Sequence, residues 1–353
     1  MNLSEQPVLC TGKKQGKWKE GSGTKVLITG AGGFIGRFLV EEALRRGYEV
    51  WAGIRATSSR AHLPQDRVRF IELKYDDPPA LTAQLATHVR EHGAWQYVVH
   101  NAGLTKTVRR ENFALVNAEY TRRVLEALEG AGCRPQKFLL MSSLSSYGAG
   151  DEKTRRPIAR EDVRRPETAY GESKRLAEDY VERQTAIPWV ILCPTGVYGP
   201  GERDYRMEIQ SIRAGFDFAA GRAPQYLSFI YVKDLAEVVF RALENPAGRN
   251  CRYLVSDGKT YSDTEFARLV QQLTGRKHVL RLRLPLWVVF LCCLFSEGFG
   301  RLTGRAMTLN IDKYRILKRR NWTCDSEPLR RELGFSPAFD LRRGLEETLR
   351  HEF

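Results

Sequence analysis

The eight residues TGAGGFIG, Thr29 to Gly36, constrain this chain more than any other stretch. They follow a short apolar run, KVLIT, of the kind that forms a fully buried strand. They open FIGRFLVEEALRRG, whose apolar residues recur with helical spacing and which Gly47 is placed to cap. Gly30, Gly33 and Gly36 give the spacing G-x-x-G-x-x-G at that junction. Three physical demands match the three glycines: a tight turn, close backbone approach to a pyrophosphate, and close packing of helix on strand. Phe34 and Ile35 begin the helix, whose free N–H groups and positive dipole end would receive the phosphates. A glycine triplet alone says little, but a triplet between a buried strand and an amphipathic helix predicts a dinucleotide cradle.

The rest of the chain agrees with that start. YEVWAGIR, VRFIEL, WQYVVHNAG, KFLLMSS and WVILCPTG read as further strands, most of them separated by helical segments. This alternation predicts an α/β fold: a Rossmann-type, doubly wound parallel sheet covered on both faces. At 353 residues the chain exceeds what one core usually fills. Residues 25–200 and 225–257 are assigned to the nucleotide-binding domain, with FIYVKDLAEVVFRALEN returning to the main sheet. Residues 201–224 and 258–353 are assigned to a smaller, substrate-binding lobe, and the polar, lysine- and glycine-rich residues 1–24 to a flexible tail.

Charge and cysteines narrow the setting. There are 56 lysines and arginines against 42 acidic residues, a net charge of +14 that favours anionic partners. The basic residues read as spread along most of the chain without a long run, and no aromatic-basic platform accompanies them. Nucleic acid is therefore not expected as a partner. Seven cysteines with no C-x-x-C pair speak against a disulfide framework or zinc ribbon and suit a reducing cytoplasm. From Leu284 to Phe295 the chain is uninterruptedly apolar. That run is shorter than the roughly 20 residues a bilayer span needs. It reads as a buried helix, as the wall of a lipid site, or as an interfacial segment flanked by Arg281, Arg283 and Arg301.

The end of the second strand selects the nucleotide. An acidic residue there would accept from the ribose hydroxyls of NAD(H). The sequence instead offers GIRATSSR, and Arg55, Ser58, Ser59 and Arg60 suit a 2′-phosphate, favouring NADP(H) over NAD(H). Further on, Tyr170 and Lys174 stand four apart in PETAYGESKRLAEDY and share one helix face. On their own they are either a packed ring and a solvated charge, or a proton donor and its tuning cation. A free tyrosine titrates near ~10, and an adjacent ammonium would lower that value. His100 reads as a packed strand residue. HVREH, His88 to His92, imitates a zinc motif but sits in a helix without an evident third ligand, so no metal is expected.

Taken together, TGAGGFIG, VVHNAG, MSSLSSYG, YGESK, CPTGVYGPGE and FIYVKDLAE make the chain from Lys25 onward resemble an extended short-chain dehydrogenase/reductase. The resemblance implies that Tyr170 and Lys174 are catalytic and also meet the nucleotide. It implies that Ser143, ahead of Ser142 and Ser145, polarises the substrate carbonyl. It gives Asn117 a structural or proton-relay role. Asn101, Ala102 and Gly103 would wall the adenosine and pyrophosphate, with Pro194, Thr195 and Val197 beside the nicotinamide. The acidic adenine contact common in the family is displaced: Lys74 occupies its place and Asp76 is the remaining candidate.

Within that family, Leu144 and Ser145 after Ser143 replace the Asp-Glu pair of sugar-nucleotide dehydratases, while epimerisation stays open. HNAGLTKT, RPETAYGESK, LPLWVVFLCCLF and TLNIDKYRILKRRNWTCDSEPLRRELGF resemble the branch that reduces lipophilic ketones. That branch includes 3β-hydroxysteroid dehydrogenase-like enzymes, and the nearest resemblance is to bacterial 3-ketosphinganine reductases and their dehydrocapnine-type relatives. It implies an NADPH-dependent reductase of a long-chain 3-keto lipid, cytoplasmic or peripheral at the inner face of the membrane. Lys106, Arg109 or Arg206 would meet a sulfonate head group. The alternatives are a nucleotide-sugar 4-epimerase, a 3β-hydroxysteroid dehydrogenase, or a non-catalytic NADP(H)-holding subunit. A homodimer is compatible with the sequence and not specified by it.

Overall fold

The computed structural model describes residues 23–184 and 186–352; residues 1–22 of the expected tail lie outside them. The apolar runs become strands β1 (Lys25–Thr29), β2 (Glu49–Ile54), β3 (Arg69–Glu72), β4 (Tyr97–His100), β5 (Lys137–Met141) and β6 (Trp189–Pro194). With Cys251–Val255 they form one seven-stranded sheet in the order Cys251–Val255, β6, β5, β4, β1, β2, β3. Every pairing in it is parallel. This is the doubly wound, Rossmann-like sheet that the alternation predicts.

Side-chain alternation explains why the sheet needs two covers. Val26 and Ile28 of β1 enter a core shared with helix α1 (Phe34–Arg45) and the helix Val232–Glu244. Leu27 points the other way, into a core with α2 (Pro78–His92) and the helices Tyr120–Gly130 and Ala169–Arg183. α1 ends as its sequence suggests. Gly47 takes a φ of +82°, and the Tyr48 and Gly47 amides return to Ala43 and Leu44 at 3.0 and 3.1 Å. A third core gathers Tyr198, Ile209, Phe229, Phe266 and Leu345 beyond the sheet.

Two expectations fail here. FIY does not rejoin the main sheet. Phe229–Tyr231 pairs with Gly196–Tyr198, and only the following helix covers the sheet. The chain re-enters it at Cys251–Val255, a strand whose apolar pattern Arg252 interrupts. Arg252 tolerates that position because Glu178 and Glu182 neutralise it. The second is the buried helix, one of the three readings of the apolar run. Leu286–Thr303 is an 18-residue helix in which only Val289, Cys293 and Gly300 are buried. It is long and apolar enough to cross a membrane by length and composition alone. One side packs on the helix Ile311–Lys318, with the Phe290 and Tyr314 rings 5.2 Å apart. The opposite side is open to solvent.

Strand order reverses between β1 and β4, so the connections leave these neighbours toward opposite flanks of the sheet. Their carboxyl ends frame the crevice where ligands of such sheets bind. Behind that crevice, buried Lys137 at the start of β5 secures one cover. Its ammonium donates to Ala242 O at 2.7 Å and Asn245 O at 2.9 Å, capping the end of the helix Val232–Glu244. Lys137→Met keeps the length and strands those carbonyls. Urea unfolding should show a loss of about 1–3 kcal/mol; unchanged stability would mean that water replaces the ammonium freely.

Candidate active site

The glycine turn is built by close approach. Gly30 has φ +67°, and a Cβ there would lie 2.8 Å from Ala102 Cα. A Cβ on Gly36 would lie 2.1 Å from Gly30 O, so any larger residue pushes α1 off the turn. Gly33 is the N-cap of α1, and no side chain caps that helix. Uncapped N–H groups therefore face a turn that only glycines can form, beside the β1–β4 crevice, and this fits a nucleotide pyrophosphate. Buried Thr29 ties the crevice together. Its hydroxyl accepts from the Asn101 and Ala102 amides at 3.1 and 3.0 Å and meets His100 Nδ1 at 3.0 Å. Asn101 also reaches Gly30 O at 3.4 Å. His100 is buried, and burial followed by the Lys174 charge holds its imidazole neutral, down at about 3.

The loop after β2 folds over the cradle, since a Cβ on Gly32 would lie 2.7 Å from Ser59 O. Arg55 and Ser58 close this loop: the Ser58 amide donates to Arg55 O at 2.9 Å, and Ser58 Oγ accepts from the Arg55 amide at 3.0 Å. Arg60 differs from its expected role. Its guanidinium lies 4.8 Å over the Phe70 ring, so Arg55 is the better-placed cation. Asp76 is held by the Tyr120 hydroxyl, with the Tyr120 ring stacked 4.9 Å from Tyr75, while Lys74 is exposed. On the opposite wall Pro194 ends β6. Thr195 binds Val255 O through both its amide and its hydroxyl, at 3.1 and 3.2 Å, and Val197 lies in the strand Gly196–Tyr198.

β5 delivers the three serines. Ser142 turns inward to buried Glu178, and Ser145 lies on the wall of a cavity that Tyr170 shares. Ser143, at the strand end, faces the Tyr170 phenol closely enough to lower its titration. The helix Ala169–Arg183 begins at Thr168, whose side chain accepts from the Gly171 amide at 3.0 Å. Gly171 lets this helix dock, because a Cβ there would lie 2.3 Å from Ser145 O. Docking puts half-buried Tyr170 and buried Lys174 one turn apart in the crevice.

Burial changes the expected acid–base balance. It pushes the Tyr170 phenol up to about 12, with a hydrogen bond from Ser143 opposing the rise. It pulls Lys174 down to about 8 against the attraction of Glu178. Lys174 donates to Met141 O at 2.8 Å and its Nζ lies 3.3 Å from where a Gly103 Cβ would be. The lowering of tyrosine by lysine that the sequence suggests is thus not realised in this arrangement. Asn117 lies in a π-helical turn, Ala114–Glu119, and its amide is fully engaged. It accepts from the Leu104 amide at 2.7 Å and donates to Leu104 O at 3.0 Å and Ser173 Oγ at 2.9 Å. That is a scaffold for the Gly103 loop, leaving no free donor for a proton relay.

Several working residues were not legible in the sequence. Glu178, one turn beyond Lys174, is buried and takes Arg164 at 2.8 Å and Arg252 at 3.2 Å. Its i+4 position from Lys174 was the available signal. Arg37 follows the third glycine and donates to Pro200 O, tying α1 to the loop after Tyr198, with its Nε buried and unpartnered. His88 and His92 are absorbed into aromatic packing, His88 lying 3.7 Å from the Trp95 ring. The cavity over Tyr170 measures about 200 Å³ and includes Lys106, Phe113, Glu297, Gly300 and Met307 in its walls. Lys106 pairs with Asp204 and donates to Thr308 Oγ1 at 3.0 Å. Arg109 and Arg206 stand outside that cavity, and Arg206 lies 3.6 Å from Glu352.

Residues 26–255 match the model of the NAD-dependent epimerase/dehydratase family. The chain is 28% identical over 342 residues to a 3β-hydroxysteroid dehydrogenase/Δ5→4-isomerase of Mycobacterium tuberculosis, covering 92% of this chain and 89% of that protein. It is 25% identical over 354 residues to a UDP-glucose 4-epimerase of Vibrio cholerae (96% and 97% covered). It is 27% identical over 333 residues to a ceramide reductase of Caulobacter vibrioides (92% and 93% covered). The cradle geometry itself generates a test. Gly36→Ala should leave the far-ultraviolet spectrum unchanged while weakening nicotinamide-nucleotide binding at least ~10-fold, about 1.4 kcal/mol. Unaltered binding in titration calorimetry would remove the helix N-terminus from the phosphate site.

Proposed function

The chain belongs to the NAD-dependent epimerase/dehydratase family, and from that premise we propose that it is an NADPH-dependent reductase of a long-chain 3-keto lipid. One observation carries the choice of substrate. The cavity over Tyr170 is walled on its far side by Glu297 and Gly300, which belong to the apolar, solvent-open helix Leu286–Thr303. A carbonyl close to a polar head can reach Tyr170 there while its acyl chain runs along an apolar surface. The similarity to a ceramide reductase and to a 3β-hydroxysteroid dehydrogenase supports a lipophilic substrate. Arg55 with Ser58 and Ser59, folded over the cradle, supports a 2′-phosphate and hence NADP(H).

In this reading the bound nicotinamide supplies hydride to the carbonyl carbon. Ser143 donates a hydrogen bond to the carbonyl oxygen and Tyr170 hands it a proton. A phenol held at about 12 keeps that proton throughout the physiological range, which suits the reducing direction. Lys174, buried beside Gly103 and Asn117, would hold the ribose hydroxyls, and while it is protonated its positive charge stabilises the phenolate left by proton transfer. Because its ammonium titrates at about 8, the charge is present below that pH and is lost as pH rises through it. The reduction should slow accordingly.

A second reading, a nucleotide-sugar 4-epimerase, has the Vibrio cholerae relative behind it. A single panel separates the two: NADPH oxidation is followed with 3-ketosphinganine, a dehydrocapnine-type ketone and a 3-ketosteroid, and UDP-glucose epimerisation is measured alongside. Turnover of a keto lipid is expected. Turnover of the sugar alone would overturn the reading, and tight NADPH binding with no turnover at all would indicate a non-catalytic subunit. Tyr170→Phe should bind NADPH normally and lose at least ~10²-fold in rate. Arg55→Asp should move the preference toward NADH, measured as the ratio of kcat/KM for the two nucleotides; an unmoved ratio would take Arg55 out of the phosphate pocket.

A further inference from the structure

The exposed face of the helix Leu286–Thr303 is continuous. Trp287, Phe290, Leu291, Leu294, Phe295, Phe299 and Leu302 fall at helical spacing on one side, with Trp287, Phe295 and Leu302 exposed by 67%, 73% and 88%. A second apolar patch abuts its start. The strands Phe216–Ala220 and Leu280–Leu284 pair in parallel, placing Phe216 beside Leu280 and Phe218 beside Leu282, and all four side chains are exposed. The Gly221 amide donates to Leu284 O at 2.8 Å, and Leu286 Cδ2 lies 3.4 Å from the position of a Gly221 Cβ, so strand pair and helix join directly. The other face of the strand pair is polar: Arg281 lies 3.5 Å from Asp217 and Arg283 3.6 Å from Asp263. Eleven large apolar side chains left open on adjoining elements form a docking surface.

Charge identifies the occupant. Between residues 276 and 320 the sequence has eleven lysines and arginines and only two acidic residues, so this segment carries most of the chain's net +14. Some of these cations meet acids outside the segment, as Arg281, Arg283, Lys313 and Arg319 meet Asp217, Asp263, Asp204 and Glu167, whereas Lys277, Arg305 and Lys318 form no ion pair among the described residues. Both acidic groups of the segment are consumed internally. Glu297 pairs with Arg301 at 2.6 Å and accepts from the Ile311 amide at 2.9 Å, while Asp312 pairs with Arg110 at 2.6 Å. An apolar stripe flanked by basic residues fits the boundary of a bilayer with anionic head groups. A helix lying in that boundary fits better than one spanning it, since Val289, Cys293 and Gly300 pack inward and Glu297 is tied to the protein.

We propose that this protein docks on an anionic lipid surface through the outer face of Leu286–Thr303 and the adjoining strand pair, and receives its substrate from that surface. The proposal rests on the lipid-ketone reading for the second half of that statement only. The inner side of the same helix contributes Glu297 and Gly300 to the Tyr170 cavity, so docking brings that cavity to the level of the head groups. A ketone near a lipid head then reaches Tyr170 without its chain crossing water.

Vesicle flotation tests this with the full chain. The protein should float with vesicles of phosphatidylcholine mixed with phosphatidylglycerol, less with phosphatidylcholine alone, and less again at high salt. Leu294→Glu with Phe295→Glu should cut the bound fraction at least ~10-fold, because neither side chain lines the cavity, while turnover of a detergent-dispersed ketone stays unchanged. Trp287→Ser provides a milder variant should the double one misfold. Wild-type protein left in the soluble fraction, or undiminished flotation of the variants, would overturn the proposal. So would a dimer in sedimentation that the double variant dissociates, with no vesicle binding, because a second copy would then be the occupant. Intact flotation without turnover of any keto lipid would instead count against the proposed reaction alone.

Discussion

The rest of the site depends on how closely two backbones meet at the β1–β4 switch point. Gly30 approaches Ala102 to a distance that admits no side chain, and the Thr29 hydroxyl, bonded to the Asn101 and Ala102 amides, holds the strand ends there. This contact fixes the start of α1 and leaves its amides open to an anion. It also fixes the loop after β4, on which Gly103 leaves room for Lys174 Nζ and the Asn117 amide. The glycine turn and the Tyr170–Lys174 pair are therefore not separate acquisitions. One steric requirement at the crevice aligns both.

Burial then decides what the aligned groups can do. An isolated tyrosine beside an ammonium would drift toward the phenolate, but the crevice desolvates both. The Tyr170 phenol keeps its proton and Lys174 loses part of its basicity. Glu178 limits that loss from one turn further along the helix, where it is itself held by Arg164 and Arg252. The interrupted strand Cys251–Val255 thereby acquires a purpose: Arg252 weakens it as a strand and supports the buried charge behind Tyr170 and Lys174.

Legibility followed locality. The cradle, the i,i+4 pair and the six apolar strands depend on near neighbours in sequence, so TGAGGFIG, YGESK and runs such as KVLIT could be read directly. What failed was decided by distant partners. The strand Cys251–Val255 was not read at all, since Arg252 breaks its apolar run and its partners Glu178 and Glu182 lie some 70 residues away. Arg60 looked like a phosphate ligand until Phe70 claimed it, and Asn117 was open to a relay role until Leu104 and Ser173 consumed its amide. The apolar helix was hardest, since its sequence is apolar nearly all round. Only the placement of Val289, Cys293 and Gly300 tells which side faces the protein.

That last ambiguity carries the physical argument to its end. A helix apolar on all sides would ordinarily be core, because exposing several large side chains to water costs about 25 cal/mol per Å² of surface. Here the cost is left standing on one face, in the most basic stretch of the chain, on an element whose other face walls the Tyr170 cavity. A water-soluble substrate would gain nothing from such a wall. The keto lipid proposed above would have to cross from a bilayer to a polar crevice, and a helix apolar on its outer face that walls the cavity with its inner one shortens that path to its own width of roughly 10 Å. On the proposed docking, the apparent defect in the packing of Leu286–Thr303 is intelligible as a route for substrate.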